Sequence, residues 1–498
     1  MKFKLKPRKT ESLTLKTLGL TLVTFAVVML PSLMYQIADG CDVSYFLVPM
    51  IALLVIGLPL VLMTKMPTTM DPVFMLANMV LMWGFAVACG SLPFMMYGLS
   101  PIDSIFESTS GVMTAGSSIV SSVHELDRGI ILWRSVLQWI GGIAIIVMFI
   151  LVLPTIGFGN RALLVNETSG SDAGKVSIKL KDTGKQFITV YSIATIIILV
   201  VLTICGLSFF DSFCISLSTI SLGGFSPTDN SVSEYSDIIK IVIIISLLFG
   251  STNFYLHYKS VISKKLVYLG SEEFRAMLVI MGLLLLVCVP YLLANTDDSL
   301  INIIFNTISA VTTASFAASD YSLYPIAIVC VFFAITIIGG SAGSTAGGLK
   351  VNRLLISVKN IYNEIQRLLH PNAVYDVKMD GKSVDSVYIS STMMVLVIFL
   401  ITMLVSTGVF LFMGLPFDVS LLTTISSLTC YGASVGPYGP FGSFYAFSDA
   451  AKIFMCILMW IGRVEIVSAL IVFTPGYWRE FRLSVKNIRR KPSSQSRR

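Results

Sequence analysis

The chain has 498 residues, of which 55% are hydrophobic and 13% charged, and its mean hydropathy is +0.83. Soluble globular proteins rarely have such a composition, so the lipid bilayer is expected to be the solvent for most of the chain. The net charge of +7 lies beside apolar stretches and not on a polar domain, which argues against a nucleic-acid-binding protein.

Apolar stretches long enough to cross the hydrocarbon core, about 20 residues each, recur along the whole chain. They predict about ten membrane spans, near residues 18–35, 46–63, 74–96, 130–153, 187–207, 238–258, 274–293, 324–340, 388–413 and 453–473. An even number of spans places both termini on one side of the membrane. No small-residue cleavage site follows the first apolar stretch, so we expect the first helix to be retained.

The distribution of charge predicts which side of the membrane the termini occupy. Lysine and arginine cluster before the first span and after the last one, and such clusters mark the cytoplasmic side. The loops at 161–185, 259–275 and 350–382 fall on the same side and are basic. The opposite loops carry acidic residues: Asp39, Asp42, Asp103, Asp229, Glu234, Asp237, Asp297, Asp298 and Asp418. We therefore predict a multi-pass protein of the cytoplasmic (inner) membrane with both termini cytoplasmic. The acidic loops either gather cations at a pore mouth or are ordinary solvated charges.

Four segments between the later spans are too short to cross the membrane. They cover residues 103–113, 211–221, 299–312 and 418–429, and each ends in a stretch of small residues. An acidic residue near the start of each segment is a candidate helix cap: Asp103, Asp211, Asp298 and Asp418. A full span follows every short segment, so the pattern predicts four half-helices that enter the membrane from outside and stop within it.

An alignment of the four segments tests whether they are copies of one unit. The aligned positions are Gly116, Gly224, Ser315 and Gly432. Six residues earlier every copy has serine, at Ser110, Ser218, Ser309 and Ser426. Eight residues earlier every copy has a hydroxyl, at Ser108, Ser216, Thr307 and Thr424, and five residues earlier a small residue, at Gly111, Thr219, Ala310 and Ser427. Three matching columns in one register indicate a fourfold repeat.

The physical chemistry of this unit indicates ion conduction. Irregular backbone at membrane depth is tolerated only where it is buried in protein or lines a watery cavity. A half-helix that enters from outside directs its partially negative C-terminal end toward a cation in that cavity. The residues after it then present backbone carbonyls in place of a hydration shell, and glycine allows the close approach that such a ring requires.

Six stretches carry a family signature: ESTSGVMTAGSS, STISLGGFSPTDNS, ISAVTTASFAASDYSLYP, ISSLTCYGASVGPYGP, GGSAGSTAGGLKVNR and WIGRVEIVSALIVF. Together they resemble the Trk/Ktr/HKT superfamily of cation transporters, most closely its bacterial Trk-type membrane subunit. The resemblance implies an all-α membrane protein in which four pseudo-symmetric helix–pore-loop–helix repeats surround a central pore, after two N-terminal transmembrane helices. The expected regions are an N-terminal pair at 1–70, repeats at 71–160, 161–260, 261–370 and 371–480, and a basic cytoplasmic tail at 481–498.

The resemblance also implies which residues bind the transported ion, K+. Backbone carbonyls of four filter segments are expected to do so: Met113, Thr114, Ala115 and Gly116; Ser221, Leu222, Gly223 and Gly224; Thr312, Thr313, Ala314 and Ser315; Thr429, Cys430, Tyr431 and Gly432. Ser315 departs from the family, which usually has glycine there. In plant relatives, serine in place of the filter glycine of the first repeat accompanies a preference for Na+. This chain keeps glycine there, at Gly116, so we expect it to transport K+ in preference to Na+. Glu107 is expected either to hold the filter through hydrogen bonds or to cap its helix.

A glycine-rich stretch, GGSAGSTAGG, interrupts the span after the third short segment. Each glycine destabilises a helix by about 1 kcal/mol relative to alanine, which favours a flexible loop below the filter over close packing of small residues between helices. The gate of Trk-type relatives is such a loop, and the resemblance implies the gate residues Gly339, Gly340, Ser341, Ala342, Gly343, Ser344, Thr345, Ala346, Gly347 and Gly348. Lys350, at the end of the stretch, is grouped with the gate. We expect it to anchor the chain at the cytoplasmic interface rather than to make a gating contact.

Arg463 is the most unusual charge in the chain because it lies well inside the last predicted span. A charge at the centre of a bilayer costs about 2.5–3.5 kcal/mol on insertion scales, so the guanidinium needs a partner or water. One interpretation pairs it with a carboxylate, such as Glu465 or one on another helix. The family resemblance favours the other, in which Arg463 lies beside the pore below the filter, limits cation flux and interacts with the gate.

The composition and motifs leave several functional classes to compare. A gated K+-translocating subunit is the first, and a Na+-conducting or poorly selective relative is the alternative. An enzyme is not expected, since the spans hold no HExxH motif, paired aspartates or activated nucleophile. Trk-type relatives form homodimers and bind a TrkA-like cytosolic nucleotide-binding ring that NAD(H) or ATP controls. This chain has no glycine-rich nucleotide fingerprint, so we expect no cofactor bound by the chain itself.

Overall fold

A computed structural model describes residues 9–65, 72–151, 173–373 and 375–464, together with residues 466, 469, 474, 475, 478 and 479. The N-terminal region contains α1 (Lys9–Val28), α2 (Leu30–Ala38) and α3 (Ser44–Met63). The first group of helices after this region contains α4 (Pro72–Tyr97), α5 (Pro101–Val112) and α6 (Arg128–Leu151). The second group contains α7 (Ala173–Ile204), α8 (Phe209–Ser221), α9 (Asp237–Ser251) and α10 (Phe254–Ser263).

Two further groups complete the described chain. The third contains α11 (Glu272–Asn295), α12 (Leu300–Thr312), α13 (Ile326–Ile338) and α14 (Val351–Leu369). The fourth contains the hairpin strands β1 (Lys378–Met379) and β2 (Lys382–Ser383), then α15 (Ser386–Phe412), α16 (Phe417–Thr429) and α17 (Asp449–Arg463). The two strands pair antiparallel, with Lys378 opposite Ser383. The predicted architecture is confirmed: an all-α membrane protein with four helix–pore-loop–helix repeats after two N-terminal spans.

Within the described residues, fewer helices are long and apolar enough to cross a membrane than the sequence predicted. Seven helical stretches in the described residues are long and apolar enough to span a bilayer, or eight if the bent pair α9–α10 counts as one span. Eight of the ten predicted spans correspond to these stretches, and those predicted at 324–340 and 453–473 do not reach this length within the described residues. One reason is that α13 has only 13 residues, because Gly339 leaves the helical conformation with φ +71° and ψ −160°. Most residues of the last predicted span after 464 lie outside the described ranges.

The span predicted at 238–258 is broken. α9 and α10 meet at an angle of 95°, and the break lies at Thr252, whose backbone is extended with φ −87° and ψ +149°. Asn253 then caps α10, because its side-chain oxygen accepts a hydrogen bond from the N–H of Tyr255 at 2.9 Å. Asparagine is a preferred N-cap residue, so the Thr-Asn pair ends one helix and starts the next.

The four short helices α5, α8, α12 and α16 match the predicted half-helices to within two residues at each end. Their caps differ from the prediction. Serine caps the first three, at Ser100, Ser208 and Ser299, each accepting a hydrogen bond from the N–H three residues later. The predicted caps Asp103 and Asp211 occupy that third position, where their carboxylates complement the positive end of the helix dipole.

The other two predicted caps are also replaced. Asp298 precedes the cap of α12 by one residue, and Pro416 occupies the cap position of α16 without a side-chain hydrogen bond. Asp418 lies in the first turn of α16. An acidic residue in the first turn stabilises a helix without capping it, so the acidic pattern located the helix starts correctly but assigned the wrong cap.

Many serine and threonine residues are buried and many large apolar residues are exposed, the reverse of the pattern in a water-soluble protein. The short helices are rich in serine and threonine and are nearly all buried, as in α16, where every residue of Leu422 to Thr429 is buried. The long helices expose large apolar side chains, with exposed fractions of 81% for Leu62, 72% for Leu286 and 95% for Phe412. Such surfaces face lipid, so the protein core lies around the short helices. The repeat boundaries stay predictions, and those at 70, 160 and 480 lie outside the described residues.

Candidate functional site

The backbone has the same shape at the end of all four short helices. One residue just after or at the end of each helix has a φ angle between +52° and +56°: Thr114, Leu222, Thr313 and Cys430. Two residues later lie the aligned filter positions, with φ +80° at Gly116, +82° at Gly224, +62° at Ser315 and +93° at Gly432. Only glycine adopts such angles without a steric cost. The register chosen from the sequence is therefore also the register of the backbone.

All four short helices end in the same way, in a last turn where each copy has serine. Its backbone carbonyl accepts the N–H of the residue just before the aligned position. The four N–H donors are those of Ala115 (2.8 Å), Gly223 (2.9 Å), Ala314 (3.0 Å) and Tyr431 (2.9 Å). Bonds of this span close the last turn of a helix through a left-handed residue. Each filter segment therefore leaves its helix by the same turn.

The four aligned positions face one another across a very small space. A Cβ atom added to Gly116 would lie 2.6 Å from the Cβ of Ser315, and one added to Gly224 would lie 2.2 Å from it. A Cβ on Gly432 would lie 3.0 Å from the Ser315 hydroxyl oxygen and 2.4 Å from the carbonyl oxygen of Ala115. The Ser315 side chain already occupies the room between the four segments, so the other three positions have no space for a side chain.

Two hydrogen bonds join filter segments of different repeats. The Ser315 hydroxyl donates to the carbonyl oxygen of Ala115 at 2.9 Å, which links the third repeat to the first. The Ser117 hydroxyl donates to the carbonyl oxygen of Gly432 at 2.8 Å, which links the first repeat to the fourth. Both acceptors are predicted filter carbonyls, so the first repeat is bonded directly to the third and to the fourth at this level.

A buried ion pair supports the first filter segment from behind. Glu107 and Arg134 are 0% and 3% exposed, and their side chains approach to 2.6 Å. The Glu107 carboxylate also accepts hydrogen bonds from the Ile119 N–H at 3.1 Å and the Ser118 hydroxyl at 3.1 Å. These bonds reach the residues just after the predicted first filter segment, which agrees with the hydrogen-bonding interpretation of Glu107 rather than with capping of its own helix. Arg134 was missed, although a charged residue inside a predicted span requires a partner.

Gln138 supports the second filter segment and was also missed. Its amide nitrogen donates to the carbonyl oxygen of Gly223 at 2.7 Å. Its amide oxygen accepts from the Ser218 hydroxyl at 2.6 Å and from the Phe225 N–H at 3.2 Å. Gln138 lies four residues after Arg134, on the same face of α6. This arginine–glutamine spacing within an apolar span is the sequence signal that could have located both residues.

A small polar cavity of about 70 Å³ opens beside the aligned positions and has room for several water molecules. Gly116, Gly224, Ser315 and Gly432 all line it. Asp229 is the only acidic residue among the described residues of its lining. The neighbouring acidic residues have other roles, since Asp103 pairs with Lys452 at 2.7 Å and Asp39 pairs with Arg128. Of the predicted acidic outer residues, Asp229 is thus the one placed at the cavity.

The predicted gate stretch forms a closed loop that begins and ends at nearly the same point. The N–H of Lys350 donates to the carbonyl of Ile338 at 2.8 Å, across the whole of residues 339–350. Gly339 has φ +71°, and a Cβ atom on it would lie 2.2 Å from the carbonyl oxygen of Gly347. Glycine is therefore required where the two ends of the loop pass each other.

The loop packs against the predicted filter segments of three repeats. Gly347 donates its N–H to the Thr313 hydroxyl at 2.7 Å, and a Cβ atom on it would lie 1.8 Å from the carbonyl oxygen of Thr429. The Thr345 hydroxyl donates to the carbonyl of Ile220 at 3.0 Å, next to the second segment. Thr313 and Thr429 belong to the third and fourth segments, so the loop touches the predicted filter directly.

Arg463 connects the last helix to this loop. Its side chain is 3% exposed, and one terminal guanidinium nitrogen donates to the carbonyl of Thr345 at 2.9 Å. The other two side-chain nitrogens have no hydrogen-bond acceptor among the described residues. No described carboxylate pairs with Arg463, and Glu465, the local candidate, lies outside the described ranges. The position of Arg463 agrees with the interpretation that it lies below the filter and contacts the loop.

The side chain of Lys350 is enclosed by the protein. Its side chain is 4% exposed, and its ammonium group donates a hydrogen bond to the carbonyl oxygen of Ala346 within the loop. The loop folds back over the residue that follows it, so the ammonium group is turned into the protein. A contact with the loop, the second interpretation of Lys350, agrees with the structure.

Two residues outside the loop 339–350 hold the loop in place, and neither contact was predicted from the sequence. Glu273 at the start of α11 is buried, and its carboxylate accepts the N–H of Ala342 at 2.6 Å. At the start of α10, the Phe254 N–H donates to the carbonyl of Gly343 at 3.1 Å. The acidic pair that begins the 274–293 span is a visible signal, but nothing in the sequence alone links it to the loop.

Comparison with known proteins places the chain in a family. Residues 83–479 match the model of the TrkH family, described as a cation transport protein. The chain is 31% identical to the Trk system potassium uptake protein TrkH of Halomonas elongata over 94% of this chain and 99% of that protein. It is 30% identical to TrkH of Escherichia coli K12 over 80% and 85%.

A solved structure extends the similarity to three dimensions. The crystal structure of the potassium transporter TrkH from Vibrio parahaemolyticus matches with a TM-score of 0.84 and 28% identity, over 93% of this chain and 98% of that one. A sequence match over most of the chain and the same fold agree. The chain belongs to the TrkH family of cation transport proteins.

Proposed function

We propose that this protein takes up K+ across the cytoplasmic membrane through a gated, channel-like pore whose filter is built from the four aligned segments. The observation that carries the proposal is the convergence of Gly116, Gly224, Ser315 and Gly432 around one small space with the same backbone geometry. The named relatives are potassium uptake proteins, which supports K+ as the transported ion.

The filter attracts a cation through backbone dipoles. Four short helices end at the ring, and each helix C-terminus has a partial negative charge of about half an elementary charge. Carbonyl oxygens of the segments then replace the hydration shell of the ion. The chemistry is transport and not catalysis, since the groups that meet at the ring are backbone carbonyls and small side chains.

The loop 339–350 is proposed to be the gate. It contacts Thr313, Thr429 and Ile220, in or next to the proposed filter segments, which supports a path on which a cation leaving the filter meets the loop. Arg463 adds a positive charge at the same place, and a like charge in a low-dielectric pore opposes cation passage. The conformation described is therefore assigned to a closed pore, and opening requires that the loop move away.

Control of the gate is proposed to come from a TrkA-like cytosolic nucleotide-binding ring, with NAD(H) or ATP bound to that partner. In the predicted topology, α14 and the β1–β2 hairpin lie on the cytoplasmic side. The carboxylate of Glu272 pairs with Lys359 of α14, and its N–H donates to Asp380 of the hairpin at 2.7 Å. Glu273, the next residue, holds the loop, so a movement of the cytoplasmic elements could be transmitted to the gate through two adjacent residues.

Homodimerisation is proposed from the family resemblance.

A second candidate function is transport of Na+ or of several monovalent cations by the same pore. Ser315 favours it, since its hydroxyl bonds to the Ala115 carbonyl at 2.9 Å and removes one coordinating dipole from the ring. Selectivity for K+ over Na+ depends on the number and field strength of those dipoles.

Uptake assays test the proposal. The chain, expressed in cells that lack their own K+ transporters, is expected to restore growth at low K+, and the purified protein is expected to pass Rb+ in vesicles. Gly116→Ala should abolish both, because its Cβ would meet the Ser315 side chain at 2.6 Å. Gly84→Ala is the matched control, since nothing lies within 4 Å of a Cβ there. Normal uptake by a folded Gly116→Ala variant would contradict the proposed pore.

A further inference from the structure

A second site lies away from the pore, in an apolar groove of about 570 Å³ between α7, α9 and α10. The groove exists because α9 and α10 meet at 95° instead of forming one straight helix. Its walls include Ile193, Ile197 and Ile245, which are between 52% and 61% exposed. A cavity of this size is within the range of ligand-binding sites.

Several polar groups in the groove are already satisfied by the protein. The hydroxyl of Thr189 donates to the carbonyl of Lys185 at 2.9 Å, and that of Ser246 to the carbonyl of Val242 at 2.8 Å. His257 lies with its two ring nitrogens 3.0 Å from the Tyr268 hydroxyl and 3.0 Å from a backbone carbonyl. The surface left for an occupant is therefore mostly hydrocarbon, which suits an acyl chain.

The length of the groove fits one membrane leaflet. Along α7 it extends from Lys185 to Ile198, which is about 20 Å at the helical rise. The hydrocarbon core of a bilayer is about 30 Å thick, so one leaflet takes up half of it. In the predicted topology Lys185 lies at the cytoplasmic end, and the groove reaches from the headgroup level through that leaflet.

The cytoplasmic end of the groove is basic. Lys185 lines the groove and is exposed, and Lys264 and Lys265 follow the end of α10 and are exposed as well. None of the three forms an ion pair with another described residue. Basic pockets between membrane helices on the cytoplasmic side bind anionic lipid headgroups, so charge and shape indicate the same kind of occupant.

The far side of the same helix break holds the loop 339–350. The carbonyl of Ser251 accepts the N–H of Ser341 at 3.0 Å, and the carbonyl of Gly250 accepts the Thr345 hydroxyl at 3.0 Å. The N–H of Phe254, just beyond the break, donates to the loop as well. An occupant that packs against the outer side of α9 and α10 therefore stabilises the bend from which the loop is held.

We propose that this groove binds an anionic phospholipid of the cytoplasmic leaflet, with its headgroup at Lys185, Lys264 and Lys265, and that the bound lipid keeps the loop in its closed position. The second half of the proposal rests on the proposed function of the loop. The lipid site itself does not depend on it.

Lipid binding is tested by native mass spectrometry of the purified chain titrated with phosphatidylglycerol or phosphatidylcholine. The wild type should retain phosphatidylglycerol preferentially, and Lys185→Gln should lower that affinity about fivefold without changing retention of phosphatidylcholine. Ile197→Trp should lower retention of both lipids by filling the groove. Leu283→Trp is the matched control, because Leu283 is 58% exposed on α11 and outside the groove. Equal retention of both lipids by the wild type, or unchanged retention by Ile197→Trp, would overturn the site. Dissociation of a dimer by Ile197→Trp would instead assign the groove to a second copy and also overturn it.

The effect on the loop is tested by Rb+ flux through the chain without a partner. In phosphatidylcholine vesicles the wild type should pass Rb+ several times faster than in vesicles that also contain phosphatidylglycerol, and Ile197→Trp should show no such difference. Wild-type flux that is the same in both vesicles would refute the coupling to the loop. Absence of flux in every vesicle would refute the proposed transport function, while the mass-spectrometric result on the lipid site would stand.

Discussion

The hydroxyl of Ser315 donates a hydrogen bond to the backbone carbonyl of Ala115, 2.9 Å away in a different repeat. Ser315 holds this position with φ +62°, an angle at which a side chain is unfavourable. The aligned glycines of the other three repeats have no side chain that could make such a bond. The third repeat thus changes the chemistry of the filter without changing its backbone.

Replacing Ser315 by glycine is expected to increase both Rb+ flux and the preference for K+ over Na+. The substitution frees the Ala115 carbonyl, and a neutral hydrogen bond contributes about 0.5–1.5 kcal/mol, or roughly a two- to tenfold change in affinity at that oxygen. Ser315→Ala separates the two effects, because it removes the hydrogen bond but keeps the Cβ. Ion competition in vesicles measures the ratio, and an unchanged K+/Na+ ratio in Ser315→Gly would rule out this explanation.

Much of the fold could be predicted because it depends on local patterns. Apolar length located most spans, and a shared serine with small neighbours placed the short helices, as at 211–221 against the observed Phe209–Ser221. The predicted alignment of the glycines agrees with the backbone as well, since positive φ angles at a fixed spacing favour glycine at those positions. Local requirements of this kind are visible in a single sequence.

The contacts that hold the filter and the loop could not be predicted in the same way. Gln138 bonds to Gly223, 85 residues away, and Glu273 bonds to Ala342, 69 residues away. Which polar side chain meets which backbone group depends on how helices pack, and periodicity does not encode that. The break at Thr252 was overlooked for another reason: the apolar run continues on both sides of it, which hid the capping signal of Asn253.

Gly347→Ala is expected to raise Rb+ flux through the chain alone. The added Cβ would lie 1.8 Å from the Thr429 carbonyl oxygen, so the loop loses its present position. Overpacking of this kind costs about 1–3 kcal/mol, equivalent to roughly a 5- to 150-fold change in the population of the seated loop. Gly282→Ala is the control, since nothing lies within 4 Å of a Cβ there. Equal flux in the two folded variants would show that the loop does not gate the pore.

Arg463→Ala is expected to raise flux as well, through two effects that Arg463→Lys separates. Alanine removes the hydrogen bond to the Thr345 carbonyl and the positive charge, and hydrogen bonds from charged groups contribute about 1.5–3 kcal/mol. Lysine keeps the charge but lacks the planar guanidinium geometry. If repulsion of cations dominates, Arg463→Lys should behave like the wild type; if the loop contact dominates, it should resemble Arg463→Ala. Wild-type flux in both variants would exclude either role.

Glu273→Ala is expected to increase flux more than Glu273→Gln. The carboxylate accepts the Ala342 N–H at 2.6 Å, and glutamine retains an acceptor oxygen while losing the charge that strengthens the bond. We expect an increase of about tenfold for alanine and a few-fold for glutamine. Glu272→Ala is the comparison, because Glu272 contacts the hairpin and α14 but not the loop. An equal increase in Glu272→Ala would show that charge at the start of α11 matters, and not the bond to the loop.

Asp298 is expected to make stability depend on pH at the outer end of α12. Burial by itself raises the pKa of its carboxyl group, but hydrogen bonds from Ser319, Tyr324, Asn302 and Ser299 outweigh burial and hold the pKa below its usual value. A lowered pKa in the folded state stabilises the protein above the unfolded pKa of about 4, and this contribution is lost as pH falls through the folded pKa. Asp298→Asn should therefore lower the unfolding free energy at pH 7 by about 1 kcal/mol after solvent screening, and the difference from the wild type should shrink below pH ~4. Thermal unfolding at a series of pH values measures it. Asp297→Asn provides the control, since Asp297 is the exposed neighbour, and a pH-independent difference for Asp298→Asn would mean that the carboxylate charge plays no part.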